Sequence, residues 1–295
     1  MNSKKKSVSD FVTVGIGELL WDEYPGGRQI GGAPSNFAYQ CQNLGAEAYV
    51  VSTVGVDDAG RDLLEELHRK EVNRSFISID HRHPTGSVSV LLDSDGVPGY
   101  MIHEHVAWDF LPESDSLHEL ATRADAVCFG TLAQRSPSSR KSIQSFLSAT
   151  HPECLRIFDI NLRQHYYDLN LIEESLRVAN VLKLNEEELA VVSKMFGWSG
   201  EVHALLKTLA EAYSLEVIAL TMAERGCIIR THDQTVQQDG AIQEHVRDTV
   251  GAGDCFSAAL TIGLLQETSL EGVAAKANQL ASYVCTQAGG MPDMP

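Results

Sequence analysis

Short apolar runs rich in β-branched residues, at 11–16, 48–53, 126–129, 156–160, 181–184 and 217–220, alternate with stretches whose apolar positions recur at helical spacing, at 57–70, 138–149, 171–179, 186–196 and 200–213. A strand that is apolar at nearly every position is buried on both faces, so the alternation predicts an α/β fold: a parallel sheet with helices on both sides. Two stretches break the pattern. Residues 18–30 and 86–105 alternate apolar with polar positions and carry turn signals at Pro25-Gly26-Gly27 and Asp93-Ser94-Asp95-Gly96. They predict antiparallel strands, inserted at two places and assembled into one small sheet that acts as a flap or lid; decorative edge hairpins would leave the same pattern. No repeat, low-complexity tract or long linker interrupts the series. Residues 11–295 are therefore read as one domain with lid segments at about 18–34 and 86–108, and residues 1–10, which include Lys4-Lys5-Lys6, as a solvated, disordered tail.

Charge narrows the partners. The 295 residues carry a formal net charge of −17, which argues against nucleic acid and anionic membrane surfaces, because both reward dense Lys and Arg. No window approaches the ~18 apolar residues of a membrane span, and no apolar stretch of the secretory kind follows the first residues. The six cysteines lie far apart with no CxxC pair, as expected of thiols in a reducing compartment. Cytoplasm is the expected location. A chain this acidic that binds a polyanion must gather backbone amides and its few cations in one place.

One such place is Asp248-Thr249-Val250-Gly251-Ala252-Gly253-Asp254, followed by the small and apolar run Cys255-Phe256-Ser257-Ala258-Ala259-Leu260. Two glycines around a small residue let the backbone fold into a concavity of N–H groups, and the run after it reads as a helix whose N-terminus favours an anion. An aspartate closing that loop stands beside bound phosphate, where it can take a proton from an attacking hydroxyl; an Asp N-cap after a glycine turn would use the same letters. A second glycine-led helix start is Gly31-Gly32-Ala33-Pro34-Ser35-Asn36, where the small residues let a ligand approach the backbone at Gly32 and Asn36 can both donate to and accept from a hydroxyl.

In this order and about two hundred residues apart, the two segments resemble the paired signatures of the ribokinase-like (PfkB) carbohydrate kinases, a likeness that runs from about residue 15 to 291. It implies a three-layer α/β/α ribokinase-like fold with a mostly parallel central sheet and a small β-sheet lid, ATP and Mg²⁺ as cofactors, and transfer of the γ-phosphate to a hydroxyl of a small sugar. It makes Asp254 the base and Gly251, Ala252 and Gly253 the anion hole. Asn185-Glu186-Glu187-Glu188 matches the family's Asn-x-x-Glu motif, implying that Asn185 and Glu188 position Mg²⁺ through its waters; an acidic first turn of a helix reads the same way. Asp159-Ile160-Asn161-Leu162-Arg163 ends a strand and matches a DxNxR pattern of the fructokinase-like branch. Carboxyl ends of parallel strands face ligands, so Arg163 is the candidate clamp on the transferring phosphoryl group and Asp159 and Asn161 its polar floor, although a loop arginine is often merely solvated.

Thr221-Met222-Ala223-Glu224-Arg225-Gly226 resembles the nucleotide-loop motif TxGxxG, which places Thr221 and Gly226 at ATP. Ala223 departs from the pattern, since a methyl group there resists positive φ. Asn278 and Ser282 on the last helix are candidates for the adenine pocket. Asp248, with the carbonyls around Val250 and Gly289, is implied as a monovalent-cation (K⁺) site. The segments Gly17-Glu18-Leu19-Leu20-Trp21-Asp22 and Gly130-Thr131-Leu132-Ala133-Gln134-Arg135 resemble fructokinases, which makes Asp22, Asn36 and Arg135 sugar contacts and fructose the expected substrate. Tyr100, Ile102 and Trp108 either cover the sugar ring or pack the lid. Family likeness and exposed lid edges imply a homodimer through the lid. The alternatives are the same chemistry on another sugar, a 2-keto-3-deoxy sugar acid or a nucleoside, and a catalytically silent sugar-binding regulatory protein on the same scaffold.

Overall fold

A computed structural model describes residues 6–24, 26–92, 98–241 and 245–295, without the side chains of 90–92 and 98–100. The Asp93 to Gly96 turn, Pro25, Lys4, Lys5 and the Tyr100 side chain lie outside the described residues. Six apolar runs become the parallel strands β1 (Val12–Ile16), β4 (Glu47–Gly55), β8 (Ala126–Phe129), β9 (Leu155–Asp159), β10 (Val181–Asn185) and β11 (Val217–Thr221). β5 (Ile77–Asp80) joins them, and the antiparallel β12 (Cys227–Thr231) and β13 (Thr235–Gln238), which the apolar runs did not reveal, complete a nine-stranded sheet of order β13-β12-β11-β10-β9-β8-β1-β4-β5.

The strands are buried from both sides, and successive side chains divide between the two faces. Val127, Phe129, Phe158, Leu182, Leu184, Ile218 and Leu220 pack under α3 (Asp115–Arg123), α4 (Pro137–Ala149), α5 (Leu169–Val178), α6 (Glu186–Met195) and α7 (Val202–Tyr213). Their neighbours Ala126, Cys128, Ile157, Val181 and Ala219 pack under α1 (Ala33–Asn43), α8 (Ala252–Leu265) and α9 (Leu270–Cys285). α2 (Asp58–Arg69) adds Leu63 and Leu67 to a third apolar cluster with Trp21, Ile30 and Val54. The expected three layers are present.

The two pattern-breaking stretches do form one separate sheet, from β2 (Leu20–Tyr24), β3 (Gly27–Gly31), β6 (Gly86–Leu92) and β7 (Pro98–Ile102), ordered β3-β2-β6-β7. Each hairpin is antiparallel, but the expectation of an all-antiparallel sheet is corrected at the join, where β2 and β6 run parallel with Leu20 opposite Gly86. The expected tail is corrected over residues 6–10. Val8–Asp10 form a 3-10 turn whose Asp10 carboxylate accepts from the Ser7 amide, and Lys6 reaches Asp125 at 2.7 Å. Among the described residues no helix is long and apolar enough to cross a membrane. All six cysteines are unpaired.

Candidate active site

A cleft of about 900 Å³ opens between the small sheet and the carboxyl ends of the parallel strands. Asp22 enters it from β2, Gly32 and Asn36 from the start of α1, and Asn161 and Arg163 from the loop after β9. Asn185 and Glu188 line its floor, with Thr221, Gly226, Asn278 and Ser282 toward the other end. The turn Gly251 to Asp254 forms the wall between the two halves.

Asp254 stands in the first turn of α8, and Gly251 is that helix's N-cap in the left-handed conformation, φ 78°. A β-carbon at Gly251 would sit 2.4 Å from the Cα of Gly290, so the turn is glycine both for its φ and for its approach to the C-terminal loop. Asp254 Oδ2 accepts a 2.8 Å bond from Asn36 Nδ2, which ties the two glycine-led helix starts together across 218 residues. The carboxyl is partly open to the cleft yet enclosed by protein. Burial first, and the charge of Asp159 second, lift it to about 7, against the pull of the Asn36 bond, Lys183 and Arg163. Asp22 is lifted to about 6, mainly by burial, with Arg163 opposing and Asp248 adding to the rise.

Asn185 and Glu188 form a capping box at α6: Asn185 Oδ1 accepts from the Glu188 amide at 2.9 Å, and Glu188 Oε2 from the Asn185 amide at 2.8 Å. Glu188 Oε1 accepts from the Leu162 amide at 3.0 Å and so fixes the loop that presents Arg163. The two sequence readings of this motif, helix start and cation-facing oxygens, are compatible in one geometry. No group of three or more acidic, His or Cys side chains able to hold a metal exists among the described residues. One carboxylate and one amide fit a hydrated Mg²⁺ that arrives on nucleotide phosphates rather than a protein-caged ion. Asp248 accepts from the Val250 amide with Oδ1 and from the Gly289 amide with Oδ2, both at 3.0 Å, and thereby ties the glycine turn to the C-terminal loop. In the Thr221 to Gly226 loop Ala223 adopts φ 50° despite its methyl group, and Gly226 takes φ 94° where a β-carbon would meet the Gln238 carbonyl at 2.0 Å. Asn278 is nearly buried and donates to the carbonyls of Gln238 and Asp239, so it also fastens β13 to α9.

Three residues considered for the cleft lie elsewhere. Arg135 is buried away from the cleft lining: its guanidinium makes a two-pronged pair with Asp109 at 2.8 and 2.9 Å, donates to the His103 carbonyl, and is sandwiched between Trp108 and Tyr166 at 4.0 and 4.7 Å. Trp108, fully buried, is packing and not a cover for a ring. Asp159 is turned beneath the cleft floor, where it bonds Lys183 and Ser257. Two residues were missed. Glu18, 2% exposed, keeps one carboxylate oxygen without a partner at the cleft, and its carboxyl is raised by burial against the Ala33 amide and both Arg163 and Arg135. Lys183 interrupts an apolar strand, and that interruption was the available signal.

A family model described as pfkB family carbohydrate kinase matches residues 26–295. An uncharacterised sugar kinase of Pyrococcus horikoshii is 29% identical over 272 residues, covering 89% of this chain and 81% of that protein. A fructokinase of Salmonella typhimurium is 28% identical over 278 residues, covering 90% and 88%. The Pyrococcus kinase solved in complex with ATP superposes with a TM-score of 0.79 at 25% identity, over 95% of this chain and 94% of that one. A double mutant of a fructokinase from Vibrio cholerae solved with fructose, ADP and a potassium ion gives 0.80 at 21% over 97% and 96%. A nucleoside kinase of Burkholderia thailandensis in complex with inosine gives 0.75 at 18% over 95% and 93%.

Proposed function

The chain belongs to the pfkB family of carbohydrate kinases, and from that premise we propose that it transfers the γ-phosphate of ATP to a hydroxyl of fructose, with Asp254 as the base. The observation that carries the reading is Asp254 itself: a carboxyl at a helix N-terminus, beside a left-handed glycine turn, bonded to Asn36 and held at about 7. A base with that affinity is about half ionised at neutral pH and takes a proton readily. The acceptor hydroxyl gives its proton to Asp254 as its oxygen bonds the γ-phosphorus, and the bond from phosphorus to the bridging oxygen breaks to release ADP. The amides of the Gly251 to Asp254 turn and the guanidinium of Arg163 face the charge that builds on the transferring group.

The nucleotide occupies the half of the cleft with Thr221, Gly226 and Ser282, and the sugar the half with Asp22, Asn36 and Asn161. Glu18 joins that second half. Leu20, Val88 and Ile102 supply its apolar cover from the small sheet, and we read the sheet as a lid whose closure excludes water, which otherwise competes as acceptor. Mg²⁺ screens phosphate charge when bound, and Asn185 and Glu188 would hold its waters. By likeness to the potassium-bearing fructokinase, Asp248 would hold a monovalent cation through lone pairs left by its two amide bonds. The lid edge, with Met101 open to solvent, is the proposed dimer contact.

A second reading, a nucleoside acceptor, is favoured by the inosine-bound neighbour and by the apolar share of the lid wall. ADP release measured over a panel of fructose, other hexoses and pentoses, 2-keto-3-deoxy sugar acids and nucleosides decides between them. Fructose is expected to give the highest kcat/KM, and a nucleoside ahead of every sugar would overturn the choice. Asp254→Asn is expected to lower kcat on the best acceptor by ~100-fold to 10,000-fold; a variant with most of its turnover intact refutes the base.

A further inference from the structure

Lys183 is a charged residue in a strand covered on both faces. Leu182 and Leu184 on either side of it are fully buried under α3 to α7, and Lys183 points to the opposite face, under α8. An ammonium in such a place is stable only when carboxylates and hydrogen bonds meet it. Its Nζ donates to Asp159 Oδ1 at 3.1 Å, and Asp159 Oδ2 accepts from Ser257 Oγ at 2.9 Å. Ser257 follows Asp254 by three residues on α8, so the lysine–aspartate–serine chain is anchored to the helix that carries the base. Directly above lies Gly253, where a β-carbon would stand 2.9 Å from Nζ. The second glycine of the turn thus leaves room for the ammonium.

We propose that Lys183 is a positioning residue for phosphoryl transfer: its ammonium, clamped beneath Gly253 by Asp159 and Ser257, seats the anion-binding turn and is the counterion that lets Asp254 ionise beside a second carboxylate. The inference rests on the reading of Asp254 as base. The groups that face Asp254 are Asn36 from α1, Asp159 from β9, Lys183 from β10, Arg163 from the loop beyond β9, and the thiols of Cys128 and Cys255. Arg163 is solvent-exposed, which leaves Lys183 as the buried cation among them. Two carboxylates of like charge in one buried site do not both ionise without such a partner.

The test is the pH dependence of kcat/KM for Lys183→Met, Asp159→Asn and the double variant, with Asp254→Asn alongside. In Lys183→Met the acidic limb moves to higher pH by at least about one pH unit, the scale of an opposite charge lost at close range. Activity then falls about tenfold more at pH 6.5 than at pH 8.5. In Asp159→Asn the limb moves to lower pH, and the charge-neutral double variant returns it toward wild type. A Lys183→Met limb that coincides with wild type, or a loss equal at every pH, overturns the proposal. Should Lys183→Met fail to melt cooperatively, Asp159→Asn decides, and a limb that does not move down is the overturning result. Turnover retained by Asp254→Asn would sink the base reading, whereas an inert Asp254→Asn with immobile limbs sinks the role of Lys183 alone.

Discussion

Replacing Asp254 by asparagine should lower turnover by at least ~100-fold and at the same time stabilise the protein, by an amount that depends on pH. The carboxyl is held at about 7 against an ordinary value of 3.8, with burial as the main cause. The unfolded chain therefore releases this proton near pH 4 and the folded chain near pH 7. Between those values the folded state carries the extra proton, so stability falls as pH rises through the window, and the cost is complete above pH 7. At about 1.4 kcal/mol per tenfold change in proton affinity, the cost is about 2 kcal/mol at pH 5 and about 4 kcal/mol at pH 8. Asparagine preserves the volume, offers an oxygen to Asn36 Nδ2 and carries no charge to bury. With roughly 2 °C of Tm per kcal/mol for a chain of this size, the ligand-free variant should melt about 4 °C above wild type at pH 5 and about 8 °C above it at pH 8. Asp22, lifted to about 6 by burial, titrates in both proteins and cancels from the difference. Matched thermal melts in the same buffers measure it. A gap that stays constant from pH 5 to pH 8, or an Asp254→Asn variant that melts below wild type at pH 8, refutes the reasoning.

Arg135→Ala leaves the Asp109 carboxylate buried without its partner and removes the guanidinium stacked between Trp108 and Tyr166. It should cost about 3–5 kcal/mol, read by denaturant titration, and a raised sugar KM with unchanged stability would return Arg135 to the sugar site. Glu188→Gln keeps one acceptor for the capping box and removes the charge facing the cleft, so the Mg²⁺ concentration for half-maximal activity should rise about 10-fold. An unchanged Mg²⁺ titration with a lowered Tm would reduce Glu188 to a helix cap.

What the sequence made legible is what the backbone builds. Gly251 can be read from its letters because a left-handed turn that touches Gly290 admits no side chain, and such a demand shows at a single position. The strands under two layers of helix show in the same way, as mostly apolar runs. Asn185 and Glu188 were legible twice over, because one reciprocal pair of bonds both starts α6 and presents oxygen to the cleft. Arg135 was illegible for the converse reason. Its partners Asp109, Trp108 and Tyr166 are 26, 27 and 31 positions away, and nothing local says that they converge on it. Asp159 has the spacing of a strand-end ligand, yet the pleat turns it with Ile157 toward α8 rather than into the cleft.

Register explains the remaining miss. In the parallel ladder Val181 lies opposite Ile157, so Lys183 falls opposite Asp159, and two residues that look anomalous alone become a pair two rungs further along. A lysine inside an apolar run therefore signals an acid on a neighbouring strand, but which acid depends on an alignment that only the folded sheet sets. The pairing also bears on how a chain of net charge −17 receives a polyanion. The Lys183 ammonium is bonded to Asp159, so on the proposed reading phosphate would meet chiefly the turn's amides, the dipole of α8 and Arg163. Partial charges fixed in place need no desolvation of a free lysine when the nucleotide arrives. On that reading, glycines suffice at the position where a phosphate-binding loop of another design would place a cation.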